Sequence, residues 1–226
     1  MFFSCFLLFS IFLSSGSDLE IAGKYVETGR AYSEDNDAAG EVRILTRFLE
    51  EALYSGNSTH ALNLILQLEQ FPLKPCYFDF WYARLSWSCG LPEYACSALD
   101  SIHGDPWLEN RANGLSAQLR GNGSRAVEMF ELSLDNAKSS NERFYSALDL
   151  SFALIQTGKF EDAESVAFFL SSNFPGEGLP VISLALNFKE QNRFVDAMSI
   201  LQSLSTGDGY TSIVKYFAAT LLEDLE

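Results

Sequence analysis

Residues 147–170 read Ala-Leu-Asp-Leu-Ser-Phe-Ala-Leu-Ile-Gln-Thr-Gly-Lys-Phe-Glu-Asp-Ala-Glu-Ser-Val-Ala-Phe-Phe-Leu, and Asn173-Phe174-Pro175 follow shortly after. With Phe144 upstream, Ala147, Leu148, Leu150, Ser151 and Leu154 mix three- and four-residue spacings, the period of a helix with one apolar face. Gly158 breaks that pattern. Five positions later Ala163 opens a second stripe with Val166, Ala167 and Leu170. Glycine accepts the left-handed backbone that ends a helix, and a proline such as Pro175 stops one. The stretch therefore predicts two helices joined by a tight turn.

The same device recurs along the chain. A turn residue, an alanine five positions on and an apolar residue four further appear as Gly56–Ala61–Ile65, Gly90–Ala95–Leu99 and Gly121–Ala126–Phe130. They appear again as Gly158–Ala163–Ala167 and, with Asn in the turn, as Asn192–Ala197–Leu201. Successive alanines are 34, 31, 37 and 34 residues apart. An alanine early in the second helix lets the two helices of a hairpin approach closely, and the apolar residue one turn on packs inward beside it.

Two of those spacings equal the period of about 34 residues of tetratricopeptide repeats. Gly158, Phe160, Ala163 and Pro175 stand where that family has its loop glycine, aromatic, alanine and terminal proline. The chain resembles the tetratricopeptide family over about residues 42–211, most closely over 144–206, and departs from it at Pro92, in the place of the aromatic, and at Gly123. The resemblance implies an all-α, right-handed α-solenoid of about five helix hairpins, at 42–75, 76–106, 107–143, 144–177 and 178–211. A flanking helix at about 19–33 and a capping helix at 211–226 complete the expected domain, since a solenoid needs a polar end.

Composition narrows the function classes. Thirty acidic residues against 15 basic ones give a formal charge of −15. Such a surface repels nucleic-acid phosphates and anionic membranes, so neither is an expected partner, whereas a basic protein is compatible with it. Residues 2–13 are almost wholly apolar, too short a run for a transmembrane helix, and Ser15 and Ser17 fit a small-x-small cleavage site before Asp18. Residues 1–17 are thus expected to be a signal peptide, 18–226 the exported repeat domain, and the location the periplasm, cell envelope or secretory pathway. The segment before the apolar run has no Lys or Arg, which leaves an uncleaved membrane anchor as the alternative. Cys89 and Cys96 flank a Gly-Leu-Pro turn and read either as a bridging pair or, with Cys76, as free thiols. The sequons at Asn57 and Asn122 read either as glycan acceptors or as turn residues.

No phosphate-binding loop, Gly-x-Ser-x-Gly elbow or His-Glu-x-x-His motif is present, and two histidines with scattered cysteines make no zinc framework. His60 and His103 read as surface or capping residues, and the acidic pairs Glu50/Glu51 and Glu161/Asp162 as solvated helix surface. No enzyme activity, small-molecule substrate, cofactor or metal is expected. In the family resembled, the first helix of each pair lines a concave groove that holds peptides. Counting back from each turn puts Arg43, Arg47 and Glu50, then Tyr77, Phe80, Trp81, Arg84 and Trp87, then Arg111, then Tyr145, Leu148 and Phe152 on that face. Arg43, Arg47, Tyr77, Trp81, Arg84, Trp87 and Arg111 are the candidate partner-binding residues, because arginine grips carboxylates and aromatics are favoured at interface hot spots. The competing reading makes much of this stretch core between neighbouring repeats. The expected function is a protein-interaction scaffold or adaptor that binds a peptide or helix, with a periplasmic chaperone as the alternative.

Overall fold

Four turns close in the same way, and that closure explains the recurring five-residue spacing. Gly90, Gly121 and Gly158 adopt φ of 74°, 72° and 73°, and Asn192 adopts 59°. The next residue in each case sends its N–H five positions back: Leu91 to Ser86 O, Asn122 to Ala117 O, Lys159 to Leu154 O and Arg193 to Phe188 O. The turn residue itself donates to Trp87, Gln118, Ile155 or Lys189. These are Schellman closures, which require a left-handed residue just past the helix. The residue after the turn then caps the next helix at once. Its carbonyl accepts from the N–H four residues on, at Ala95, Ala126, Ala163 and Ala197. Turn plus one is the cap, and cap plus four is the alanine.

The structure, a computed structural model, describes residues 37–54, 58–71 and 78–206, together with 215, 218, 219, 222 and 223. The expected signal peptide, the helix at 19–33, Gly56, Asn57, Cys76 and Tyr77 lie outside the described residues, as does most of the expected capping helix. The continuous helices among the described residues are α1 (Ala38–Tyr54), α2 (Ser58–Leu68), α3 (Phe78–Ser88), α4 (Pro92–Asp100), α5 (Pro106–Leu119), α6 (Gly123–Asn136), α7 (Ser140–Gln156), α8 (Phe160–Asn173), α9 (Gly178–Glu190) and α10 (Phe194–Thr206). No strand occurs among the described residues. The chain is all-α.

Consecutive helices pack in pairs: α1 with α2, α3 with α4, α5 with α6, α7 with α8 and α9 with α10. Each second helix also packs on the first helix of the next pair, and first helices pack on one another at α1·α3, α5·α7 and α7·α9. Contacts of this kind, between helices one or two apart in the chain, bury a core that runs without interruption from Leu49 to Ala163. Ala61, Ala95, Ala126, Ala163 and Ala197 are all 0% exposed. Ala218 is buried too, against Ile182, Ala185, Leu201 and Leu204.

Local sequence explains where the helices start. Pro92 and Gly123, which depart from the tetratricopeptide pattern, each occupy the first position of a helix. Proline suits that position because its missing N–H has no intrahelical partner there anyway. Asp105 caps α5 by accepting from the Trp107 N–H at 3.1 Å. Ser139 and Glu142 form a reciprocal capping box at the start of α7. Inside α5, Gly114 marks the closest approach to α6, since a Cβ there would lie 2.6 Å from the Phe130 ring. Phe130 is 1% exposed and has nowhere to go. Gly114→Ala is therefore expected to destabilise the protein by about 1–3 kcal/mol through overpacking, although alanine is the better helix former. Urea unfolding would read this as a lower midpoint, and an unchanged or raised midpoint would mean that α6 yields.

Candidate functional site

Four first helices send one polar side chain or more to a single point. On α1, Glu50 and Tyr54 are one turn apart and share a face; Trp81 and Arg84 project from α3, Arg111 from α5, and Tyr145 and Asp149 from α7. Asp149 is the hub. Its Oδ1 accepts from the Arg84 guanidinium and from the Tyr54 hydroxyl, the latter at 2.6 Å, and its Oδ2 accepts from Arg111 Nε at 2.6 Å. Arg111 also donates through Nη2 to the Tyr54 oxygen at 2.9 Å. Tyr54 thereby links the first helix to one 95 residues further along, and its ring stacks on Phe152.

Aromatic faces surround the two cations. The Arg84 guanidinium carbon lies 4.1 Å from the Tyr54 ring centre, and that of Arg111 lies 4.3 Å from Phe80 and 5.2 Å from Tyr145. Such stacking partly replaces lost hydration. Glu50 sits beside them and accepts from Trp81 Nε1 at 3.2 Å. Burial pushes the Glu50 carboxyl up to about 8, against the hydrogen bond from Tyr145, the nearby Arg111 charge and the Trp81 bond, with Asp149 raising it further. Burial also raises the Asp149 carboxyl, but Arg111 and Arg84 overcome this and hold it below the usual carboxylate range. The Tyr54 hydroxyl is pushed up, by burial first and then by Asp149. At neutral pH the cluster accordingly holds two guanidiniums, one carboxylate and one largely protonated carboxyl, a net charge of about +1.

These contacts decide where the sequence-predicted residues lie. Trp81 and Arg111 are each 1% exposed, and Arg84 is mostly buried. Together they form the cluster. Arg47, also on α1, is bonded to Glu177 at 2.7 Å and lies 3.6 Å from Glu51. Arg43 is exposed on α1, and Trp87 is partly exposed near the end of α3. Tyr77 is outside the described residues. Trp81, Arg84 and Arg111, expected on the partner-binding face, are each engaged by side chains of the same chain. The reading of Glu50 and Glu51 as solvated surface is corrected, since both are buried. Asp149, Tyr54 and Glu177 were missed as partners. The available signal was a lone aspartate within the apolar run Ala-Leu-Asp-Leu-Ser-Phe-Ala-Leu.

Besides Tyr82 and Trp87 on α3, the exposed large apolar residues within the helices lie on the second helices. Each carries at least one large apolar residue in solvent: Leu62 and Leu66 on α2, Tyr94 on α4, Leu132 on α6, Phe168 and Phe169 on α8, Phe194 and Val195 on α10. Across those five helices there are nine carboxylates (Glu93, Asp100, Glu128, Glu131, Asp135, Glu161, Asp162, Glu164, Asp196) and one base, Arg125. The five first helices hold eight acids and six bases. The second helices together thus carry more net negative charge than the first helices, along with exposed apolar groups. Cys89 and Cys96 are free thiols, the first exposed. No helix of the described residues is long and apolar enough to cross a membrane. No protein-family model matches the chain, and no curated protein matches it either.

Proposed function

We propose that this chain is a tetratricopeptide-like solenoid that serves as a protein-interaction scaffold outside the cytoplasm, engaging its partner through the exposed faces of the second helices. One observation carries the reading: a large apolar side chain stands in solvent on every one of the five second helices. Exposed apolar side chains in such number mark interaction surfaces. The resemblance in the turn and alanine pattern supports the solenoid. The apolar run at 2–13 with small residues before Asp18 supports export. A peptide held on the first-helix face would first have to displace Asp149 from Arg84 and Arg111, which makes that face the poorer seat.

The test is site-specific photocrosslinking in the native host, with the crosslinker placed in turn at Leu66, Tyr94, Phe168 and Val195 on second helices and at Arg43 on α1. Partner adducts are expected from second-helix positions. Adducts from position 43 alone, or from none, would refute the proposal. Mass spectrometry of the same material reads the N-terminus, expected at Asp18; a mature protein beginning at Met1 would remove the cleaved-export part. A stable stoichiometric complex is expected of a scaffold, whereas a chaperone would release its client.

A further inference from the structure

Resting on the scaffold reading, we infer that the exposed face of α8 is the docking surface for a cationic amphipathic helix of a partner protein. Phe168 and Phe169 are 52% and 47% exposed, adjacent, and in the third turn of the helix. Glu161 and Asp162 lie seven residues before them, two turns away on the same face, and are exposed. A partner helix with an apolar stripe and flanking Lys or Arg matches both halves of this surface at once.

Two polar side chains of α8 beside these groups are already bonded to the helix backbone. Ser165 Oγ donates to Glu161 O at 2.9 Å, and Asn173 Nδ2 donates to Phe169 O at 2.7 Å. Those two hydrogens are already donated to the helix, so covering them strands neither. Ser165 and Ser172 are exposed beside the phenyl groups. Their small side chains leave room for a partner's side chains to reach both rings. Charge selects the occupant. With nine acids and one base on the second helices, an acidic segment is repelled, as is an anionic lipid surface.

Fluorescence anisotropy with three labelled 18-residue peptides tests this on the full chain. One has a Leu/Phe stripe at helical spacing with Lys on the polar face, the second has Glu in place of Lys, and the third is the Lys peptide scrambled to abolish the stripe. The Lys amphipath is expected to bind, to weaken with added salt, and to lose about tenfold in affinity in the F168A/F169A variant and several-fold in E161Q/D162N. Circular dichroism should show both variants folded, since all four side chains are exposed. Equal affinity for the scrambled peptide, or an affinity untouched by F168A/F169A, would overturn the proposal in favour of diffuse Coulomb attraction. Binding to neutral phosphatidylcholine vesicles, or self-association in sedimentation, that F168A/F169A abolishes while the Lys peptide fails to bind would overturn it in favour of lipid or of a second copy. Partner crosslinks at Leu66 or Tyr94 without peptide binding at α8 would sink this inference alone and leave the scaffold standing.

Discussion

Asp149→Ala is expected to lower the stability of the protein by about 3–5 kcal/mol, the range for removing one partner of a buried ion pair. Asp149 is the hydrogen-bond acceptor shared by Arg84, Arg111 and Tyr54. Without it two guanidiniums remain in an interior from which water is excluded, next to each other and to a Glu50 carboxyl that is largely neutral. Their mutual repulsion then adds to the desolvation that the carboxylate had offset. Because Tyr54 loses its acceptor too, the connection between α1 and α7 loosens along with the local ion pairs. For a domain of this size the loss corresponds to about 10 °C or more in Tm. Asp149→Asn keeps the shape and an acceptor oxygen but removes the charge, and should fall between the alanine variant and the parent. Replacing Asp149, Arg84 and Arg111 together by leucine and methionine should recover much of the loss, since well-packed apolar groups often equal a buried ion pair. Urea unfolding measures all of these. An Asp149→Ala variant within 1 kcal/mol of the parent would mean that water enters the cluster freely.

The asymmetry between what could and could not be read from sequence has a physical origin. Gly158 and Ala163 were legible because the Schellman closure and the cap of the next helix are set by residues within a few positions of each other. Local geometry writes a fixed spacing into the chain, and the structure returns it at Gly90, Gly121 and Asn192 as well. Even Pro92 and Gly123, which weakened the family pattern, are accounted for locally as helix-start residues. The cluster around Asp149 has no such period. Its bonds join residues 38, 65 and 95 positions apart, and each partner taken alone resembles something commonplace. Glu50 and Glu51 look like a solvated acidic pair until Trp81 and Arg111 from other helices arrive beside Glu50. Counting back along the helices put Arg84 and Arg111 on the right face, but periodicity gives no information on whether that face is filled. The aromatic residues on α3 were ambiguous in the same way. Phe80 and Trp81 are buried, while Tyr82 and Trp87 are partly exposed.

Glu50→Gln is expected to flatten the pH dependence of stability between about pH 5 and pH 8. The folded protein holds the Glu50 proton up to about pH 8, whereas the unfolded chain releases it near the ordinary value of 4.5. Over that interval the folded state binds more protons than the unfolded state, so stability falls as pH rises. At 1.36 kcal/mol for each pH unit, the accumulated loss by pH 8 is up to about 5 kcal/mol. Asp149 acts in the opposite sense and in a lower window. Its folded value is depressed, so its contribution is complete above the ordinary carboxylate range and is lost only as pH falls below it. The slope from pH 5 to 8 therefore isolates Glu50. Glutamine keeps an oxygen for Trp81 Nε1 and an amide that can donate to the Tyr145 oxygen, and it has no proton to lose. The variant should match the parent at pH 5 and exceed it by a few kcal/mol at pH 8. Above pH 8 the parent's Glu50 ionises in place, the cluster approaches neutrality with two guanidiniums facing two carboxylates, and the decline stops. Urea midpoints at pH 5, 6, 7, 8 and 9 for the two proteins decide the matter. Parallel curves would show that the Glu50 carboxyl is ionised throughout, already balancing the second arginine at neutral pH.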